Sequence, residues 1–134
     1  MSSRLSLRSA VEQLSAFSPK FNWVGIYLLH DDTLELGPYV GEPTEHTRIK
    51  VGVGVCGTAV AREEDMNVPD VTAATNYLAC SLATRSELVV LIRGRDGRIL
   101  GQIDIDSHTR AAFGPEEEAA VKRVAKDLGD AWEN

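Results

Sequence analysis

The sequence has little positive charge and no long apolar segment. Lysine and arginine number 14 against 20 acidic residues, which gives a net charge of −6 at pH 7. This balance argues against a general nucleic-acid surface, because such surfaces need clustered basic side chains. No apolar run approaches the roughly 20 residues of a membrane-spanning helix, and the first residues lack the apolar core of a secretory signal. We therefore expect a cytoplasmic protein that binds neither nucleic acid nor membrane.

Cysteine is also scarce, with Cys56 and Cys80 as the two examples. In a reducing compartment, two cysteines are more often free thiols or a redox pair than a structural disulfide. The three histidines, His30, His46 and His108, share no metal-ligand spacing with them. We therefore predict no metal site and no bound cofactor.

The chain length of 134 residues suits one domain, residues 1–134. Two hairpins are predicted, one from FNWVGIYLLH and DTLELGPYV and one within ELVVLIRGRDGRILGQIDIDS. The second hairpin turns at Asp96-Gly97, a pair favoured in type I′ turns. Helices are predicted before Ser18-Pro19 and from Pro115 onward. The pattern predicts an α+β fold, with a mostly antiparallel central sheet flanked by helices.

Three shorter segments lie between the hairpins. TRIKVGV is a candidate third strand, and CGTAVAREED has the spacing of a short helix. MNVPDVTAATNYLACSLATRS follows neither the helical nor the strand period, so we expect an irregular segment. Cys80 lies on it, where it either packs as a small apolar residue or forms a redox pair with Cys56.

The segment VGVGVCGTAV contains Gly52-x-Gly54-x-x-Gly57, the letters of a dinucleotide-binding turn. A dinucleotide-binding unit needs parallel strands alternating with helices, whereas this turn lies between predicted antiparallel hairpins. We therefore interpret the glycines as a tight strand-to-helix turn. Such a turn would place Cys56 at a helix N-terminus, where the helix dipole is expected to lower the thiol pKa.

Three acidic residues are candidates for chemistry. Asp104 and Asp106 alternate with Ile103 and Ile105, so both carboxylates should project from the same strand face. Glu87 begins the partner strand. Taken alone, such a face is usually solvated. If it is partly dry, mutual repulsion would leave at least one carboxyl protonated at neutral pH and able to act as a general acid.

Several stretches together resemble the GAF-fold free methionine-(R)-sulfoxide reductases. They are FNWVGIYLL, LELGPY, RIKVGVGVCGTAVA, the YLAC segment with the Ser-Glu that follows it, and GQIDIDS. The GVCGTA block and the Cys80-x6-Glu87 spacing are the most specific of them. The resemblance implies a single GAF-type domain, reduction of free methionine-(R)-sulfoxide, and a homodimer.

The resemblance also implies roles for both cysteines. Cys80 corresponds to the catalytic cysteine, which is oxidised to a sulfenic acid, and Cys56 to a recycling cysteine. An external thioredoxin-like reductant would then reduce the disulfide. The family's other recycling cysteine lies ten residues before Cys56, where this chain has His46. Either Cys56 resolves the intermediate alone, or an external thiol does, or turnover is lost.

Substrate contacts follow from the same resemblance. Trp23 corresponds to the tryptophan that packs against the substrate's methyl group. From its position on a strand alone, Trp23 is about as compatible with a hydrophobic core residue. Glu87, Asp104 and Asp106 correspond to acids that bind the amino group and the sulfoxide. We predict Glu87 and Asp106 as catalytic acids and Trp23, Asp104 and Tyr27 as substrate-binding residues.

A different class of function is also compatible with the pattern. GAF-type folds serve as non-catalytic small-molecule sensors, and fold does not dictate function. A thiol-based redox sensor would keep both cysteines without a substrate pocket. The reductase requires Trp23, Glu87, Asp104 and Asp106 together with Cys80, whereas a sensor should tolerate the loss of some of them.

Overall fold

The computed structural model describes residues 6–73 and 83–132. Its elements in chain order are α1 (Leu7–Phe17), β1 (Trp23–His30), β2 (Thr33–Val40), β3 (Arg48–Lys50), α2 (Gly54–Arg62), β4 (Met66–Val68), a 3₁₀ turn (Val71–Ala73), β5 (Ser86–Arg93), β6 (Ile99–Ser107) and α3 (Pro115–Ala131). The two predicted hairpins, the third strand and the helices are confirmed.

The six strands form one sheet in the order β3-β2-β1-β6-β5-β4. Every neighbouring pair is antiparallel. The two long hairpins therefore meet at β1 and β6 in the middle of the sheet. This arrangement confirms the predicted α+β class.

Helices cover both faces of the sheet. On one face, α1 and α3 pack against alternate side chains that include Ile103 and Ile105. On the other face, α2 packs against a second apolar cluster, to which Trp23, Tyr27 and Val89 belong. The two clusters are distinct because successive strand residues point to opposite faces. Residues 102, 104 and 106 consequently lie on the α2 side.

The last helix is anchored by a close approach to the sheet. Val121, Val124, Ala125 and Leu128 are buried, as the helical spacing predicts. A Cβ atom at Gly129 would lie 1.9 Å from the carbonyl oxygen of Arg93 on β5, so glycine is required where α3 meets the strand. Within the described ranges, none of the helices combines the length and apolar character needed to cross a bilayer.

Two local predictions were wrong. The turn between β5 and β6 is not a type I′ turn at Asp96-Gly97, because that type needs positive φ at both residues. In the described chain Gly97 has φ of +86° and Asp96 does not share a positive φ. The turn closes one residue earlier, where the Gly97 N–H donates to the Gly94 carbonyl at 2.9 Å. Strand β4 (Met66–Val68) was missed, because three residues are too few to show alternation.

Candidate active site

Strands β1, β6 and β5 bring acidic and aromatic side chains into line beneath α2. Trp23 pairs with Asp106, and Asp106 pairs with Glu87 on the next strand. One row further along, Gly25 pairs with Asp104. Glu87, Asp104 and Asp106 are 2%, 1% and 2% exposed. The solvated-face interpretation of these acids is therefore wrong, because α2 covers the face that carries them.

Cys56 is the third residue of α2, the helix that covers the acids of β5 and β6. Its side chain is 5% exposed, and its S–H donates to Glu87 Oε2 over an S···O distance of 3.8 Å. Ligand-type atoms of Cys56, Glu87 and Asp104 all lie within 4.8 Å of one another. The Gln102 side-chain amide donates to the Cys56 carbonyl at 3.0 Å, which fixes the first turn of α2 over the sheet.

The glycines before Cys56 form the strand-to-helix turn that positions this residue. Gly52 and Gly54 have φ of +98° and +67°. The N–H of Gly52 donates to Gly57 O at 2.8 Å, and that of Val53 donates to Lys50 O at 3.1 Å. A phosphate cradle needs convergent N–H groups that remain available to the ligand, and these two are used within the turn. The strand-to-helix interpretation is confirmed in preference to the dinucleotide one.

The pKa of Cys56 shifts in the direction opposite to our expectation. Burial raises the pKa of the thiol well above its usual value, and the charges of Asp104, Glu87 and Asp106 raise it further. The predicted lowering by the helix N-terminus is wrong because a helix end carries only about half an elementary charge. Desolvation and the neighbouring carboxyls outweigh that charge. Cys56 is therefore held as a neutral thiol at neutral pH.

The carboxyl groups perturb one another as the repulsion argument predicts. Burial raises the pKa of Glu87 well above its usual value, and Asp104 and Asp106 add to the shift. Burial also raises the pKa of Asp104, although hydrogen bonds with Glu87 and Cys56 partly oppose that change. Glu87 is thus the carboxyl that most readily keeps a proton, and we assign the shared proton to it.

Several acceptor atoms of the site point to a missing donor. Within residues 6–73 and 83–132, Glu87 Oε1, Asp104 Oδ1 and Gln102 Oε1 are buried without a hydrogen-bond partner. Over the same ranges, no lysine, arginine or histidine forms an ion pair with Glu87 or Asp104. Buried polar atoms are normally satisfied. The site is therefore suited to a cationic or donor-rich ligand.

Aromatic side chains form the wall beside the acids. Trp23 stacks on Tyr39 with ring centroids 5.6 Å apart and an interplanar angle of 20°, and its centroid lies 6.4 Å from that of Tyr27. The Trp23 indole N–H donates to Glu42 O at 3.0 Å, and the Tyr27 hydroxyl donates to His46 O at 2.7 Å. The two predicted binding residues therefore hold the β2–β3 connection against the sheet.

The sequence analysis missed three residues that shape the site. A Cβ at Gly25 would lie 2.3 Å from Trp23 Cη2, so the indole covers the Gly25 backbone and fixes its own plane there. Tyr39 stacks on the indole and supports it. Gln102 holds Cys56, and its alternation with Asp104 and Asp106 was the signal that could have found it.

Two further residues named in the sequence analysis are Cys80 and His46. Cys80 lies outside the described residues, so its distance from Cys56 and its catalytic role stay predictions. His46 contributes its backbone carbonyl to Tyr27, and the shift of Cys56 comes from burial and carboxyl groups rather than from an imidazole.

The sequence and the fold match known proteins. Residues 6–132 match the GAF domain family. A type II free methionine-R-sulfoxide reductase from Thermoplasma acidophilum is 40% identical and superposes with a TM-score of 0.87, covering 91% of this chain and 86% of its own. The chain belongs to the GAF-domain free methionine-R-sulfoxide reductase family.

Other members of this reductase family agree with the assignment. A free methionine-R-sulfoxide reductase of Escherichia coli (strain K12) is 42% identical over 107 residues, which are 80% of this chain and 64% of the relative. The chain thus spans less than two-thirds of that protein. A free methionine-R-sulfoxide reductase from Neisseria meningitidis, solved with its substrate, is 39% identical with a TM-score of 0.82, covering 92% of this chain and 73% of its own.

Proposed function

We propose that this GAF domain reduces free methionine-(R)-sulfoxide to methionine. The observation that carries the proposal is the buried acid cluster beside Trp23, in which Glu87 and Asp104 keep acceptor atoms without partners in the described chain. The ammonium group of a free amino acid supplies the positive charge and the donors that this cluster lacks. A peptide-bound methionine has no such group. The named relatives support the same choice of substrate.

Binding follows from the arrangement of the wall and the acids. The substrate's methyl group and thioether carbons would pack on the Trp23 indole, with Tyr27 behind it. The indole is held by its hydrogen bond to Glu42 O and by Tyr39, so its face is rigid before the substrate arrives. Asp104 would accept hydrogen bonds from the ammonium group.

The oxygen-transfer step uses a thiolate and a protonated carboxyl. The Cys80 thiolate attacks the sulfoxide sulfur while Glu87, whose pKa is raised by burial and by its acidic neighbours, protonates the oxygen. The substrate sulfur is reduced to the thioether of methionine, and its oxygen passes to Cys80, which is oxidised to a sulfenic acid. Positive charge that develops on the substrate sulfur is stabilised by Asp104, Asp106 and the indole face.

Recycling reverses the proton movement at Glu87. Having given up its proton, Glu87 is a carboxylate 3.8 Å from Cys56 Sγ, where it can accept the Cys56 proton. This base is needed because burial keeps Cys56 protonated. The Cys56 thiolate then attacks the Cys80 sulfur and displaces hydroxide, which takes a proton from solvent and leaves as water, so a disulfide forms. A thioredoxin-like reductant restores both thiols by exchange, and His46 takes no part.

Turnover of the free amino acid tests the proposal. Purified protein would receive free methionine-(R)-sulfoxide with either thioredoxin and its reductase or dithiothreitol, with the (S) epimer and a peptide-bound (R)-sulfoxide as matched substrates. We expect turnover of the free (R) epimer alone. Cys80→Ser should abolish turnover with both reductants, and Cys56→Ser should abolish the thioredoxin-dependent reaction while leaving much of the dithiothreitol-dependent one.

Two results would contradict this assignment. Folded protein that is inactive with both reductants would instead favour the sensor class, in which a GAF domain binds a small molecule without converting it. Full thioredoxin-dependent turnover by Cys56→Ser would show that an external thiol resolves Cys80, and would remove Cys56 from the recycling step.

A further inference from the structure

The acid cluster beneath α2 has the composition of a metal-binding site as well as that of an amino-acid site. Cys56, Glu87 and Asp104 each offer one ligand-type atom, and these atoms lie within 4.8 Å of one another. The three donors come from α2, β5 and β6, so the packing of the helix on the sheet holds them together. One sulfur and two carboxylate oxygens form a donor set that suits Zn²⁺.

The spacing is close to that of a shared ion. Zinc bonds to thiolate sulfur at about 2.3 Å and to carboxylate oxygen at about 2.0–2.2 Å, so two ligands of one ion lie at most about 4.5 Å apart. The distance between Cys56 Sγ and Glu87 Oε2 is 3.8 Å, already inside that limit. Every pair of ligand atoms in the cluster lies within 4.8 Å, so small side-chain rotations are enough to bring all three atoms inside that limit.

A second observation points to a ligand at this place. Glu87 Oε1 and Asp104 Oδ1 are buried and lack a hydrogen-bond partner within the described ranges, and both side chains are at least 98% buried. Carboxylates held in this way without cations are costly unless they are protonated or bind an ion. The cluster is therefore built for a positive charge, whether that charge is an ammonium group or a metal ion.

We propose that Cys56, Glu87 and Asp104 bind Zn²⁺, and that the bound ion competes with the substrate for the same two carboxylates. Three protein ligands leave one coordination position open to water. Binding displaces the Cys56 proton to solvent and ties up the recycling thiol without changing its oxidation state. The competition rests on the proposed function, whereas the metal site does not.

Direct binding measurements test the site without turnover. Co²⁺ would serve as a spectroscopic stand-in, because a thiolate ligand gives a ligand-to-metal charge-transfer band, and Zn²⁺ affinity would be measured against a chromophoric chelator. We expect the band in wild-type and Cys80→Ser protein and its loss in Cys56→Ser. Asp104→Asn should weaken Zn²⁺ binding at least about tenfold, since even outer-sphere partners of a metal are worth 10–100-fold.

The matched control is Glu35→Gln. This substitution removes an exposed acid on β2 that forms an ion pair with Arg48 on β3. It should bind Zn²⁺ like the wild type. Because a site variant can also misfold, protection is measured in parallel on Cys80→Ser protein, in which Cys56 is the remaining thiol. Zn²⁺ should slow alkylation of Cys56 and leave the rate in unfolded protein unchanged.

The outcomes separate this proposal from the preceding one. A Co²⁺ complex without a Cys56-dependent band, unchanged affinity in Asp104→Asn, or no protection of Cys56 would overturn the metal site even if the protein is an active reductase. Protein that binds Zn²⁺ at Cys56 but lacks turnover would support the metal site and contradict the proposed reductase activity. Inhibition that is not relieved by raising the methionine-(R)-sulfoxide concentration would overturn the competition.

Discussion

Single residues in the acid cluster have properties that their neighbours impose. Glu87 lies opposite Asp106 on the adjacent strand, accepts from Cys56 and is almost fully buried. An isolated glutamate at the surface would be ionised at neutral pH, whereas burial and two neighbouring aspartates raise the pKa of this one. The same surroundings keep Cys56 as a thiol. In the proposed mechanism, one proton moves between these neighbouring side chains.

Replacing Glu87 with glutamine should remove the proton donor while keeping the shape of the side chain. We expect kcat/KM for methionine-(R)-sulfoxide to fall about 100-fold or more, the usual contribution of a general acid. The pH–rate profile should also lose its descending limb, because that limb reports deprotonation of Glu87. Steady-state assays with dithiothreitol across the pH range check both. A retained descending limb would assign the proton to a different group.

Gly25 should act as a positioning residue for Trp23. Gly25→Ala places a methyl group where the indole lies, 2.3 Å from Cη2, so the ring must tilt away from the acids. We expect KM for the sulfoxide to rise about tenfold, equivalent to about 1.4 kcal/mol, with a smaller change in kcat. The assay is paired with the tryptophan emission spectrum.

The matched control for Gly25 is Gly94→Ala in the β5–β6 turn. There the new methyl group would meet side-chain atoms of Asp96 and Leu100 at 3.3 Å, which can shift. Both KM and the emission spectrum should stay close to those of the wild type. An unchanged KM in Gly25→Ala, with an altered emission spectrum, would show that the plane of the indole does not matter to binding.

At the scale of elements, the contact between α3 and β5 is set by backbone proximity. Gly129→Ala would place a methyl group 1.9 Å from the Arg93 carbonyl, and the helix must move outward. Overpacking of this kind costs about 1–3 kcal/mol, which thermal unfolding would show as a lower Tm. The specific activity of the folded fraction should stay unchanged, because α3 covers the sheet face opposite to the acids.

A surface position on the same helix provides the comparison. Lys126 is 75% exposed and pairs with Asp130, an ion pair of little expected value. Lys126→Ala should therefore change stability by less than about 0.5 kcal/mol. Equal losses of stability in Lys126→Ala and Gly129→Ala would contradict the close-packing argument.

The hydrophobic pattern predicted most elements, because the long strands show a clear alternation of apolar and polar residues. In β6, Ile103 and Ile105 alternate with Asp104 and Asp106, and this alternation correctly placed the acids together. The edge strand β4 has three residues, too few for any period to show. The β5–β6 turn was predicted one residue too late and with the wrong type, because Asp96 does not share the positive φ of Gly97.

The sequence predicted the acid and aromatic members of the cluster and the mutual repulsion of the acids, but not the direction of the Cys56 pKa shift. The position of Cys56 in the first turn of a helix was foreseeable from the glycines before it. Its raised pKa was not, because that shift comes first from burial and then from Asp104, Glu87 and Asp106, which lie on strands far away in the sequence. The role of Gly25 could not be predicted from the sequence either, since it depends on where the Trp23 ring lies.

For the whole molecule, the buried acids make stability depend on pH. The pKa of Glu87 and of Asp104 is raised in the folded state, so the folded protein keeps protons that the unfolded chain has released. The stability from these groups is complete below the unfolded pKa of about 4 and is lost as pH rises through the folded values. The raised pKa of Cys56 extends the loss above about pH 8.5.

Thermal unfolding at a series of pH values tests this dependence. We expect the Tm of the wild type to fall as the pH rises above the unfolded carboxyl pKa of about 4, and Glu87→Gln to flatten the curve. Near pH 8 the variant should be the more stable protein by about 1–3 kcal/mol, the usual cost of an unsatisfied buried polar group. Glu35→Gln, which changes an exposed acid, should follow the wild-type curve. A Glu87→Gln curve as steep as that of the wild type would place the relevant proton elsewhere.

The two outermost strands of the sheet are much shorter than the inner ones. β3 and β4 have three residues each, whereas the four inner strands have eight or nine. Backbone N–H and C=O groups left open at a sheet border recruit strands from other chains and start aggregation. A border of three residues offers few such groups, so concentrated solutions of this acidic protein should resist the formation of cross-β fibrils.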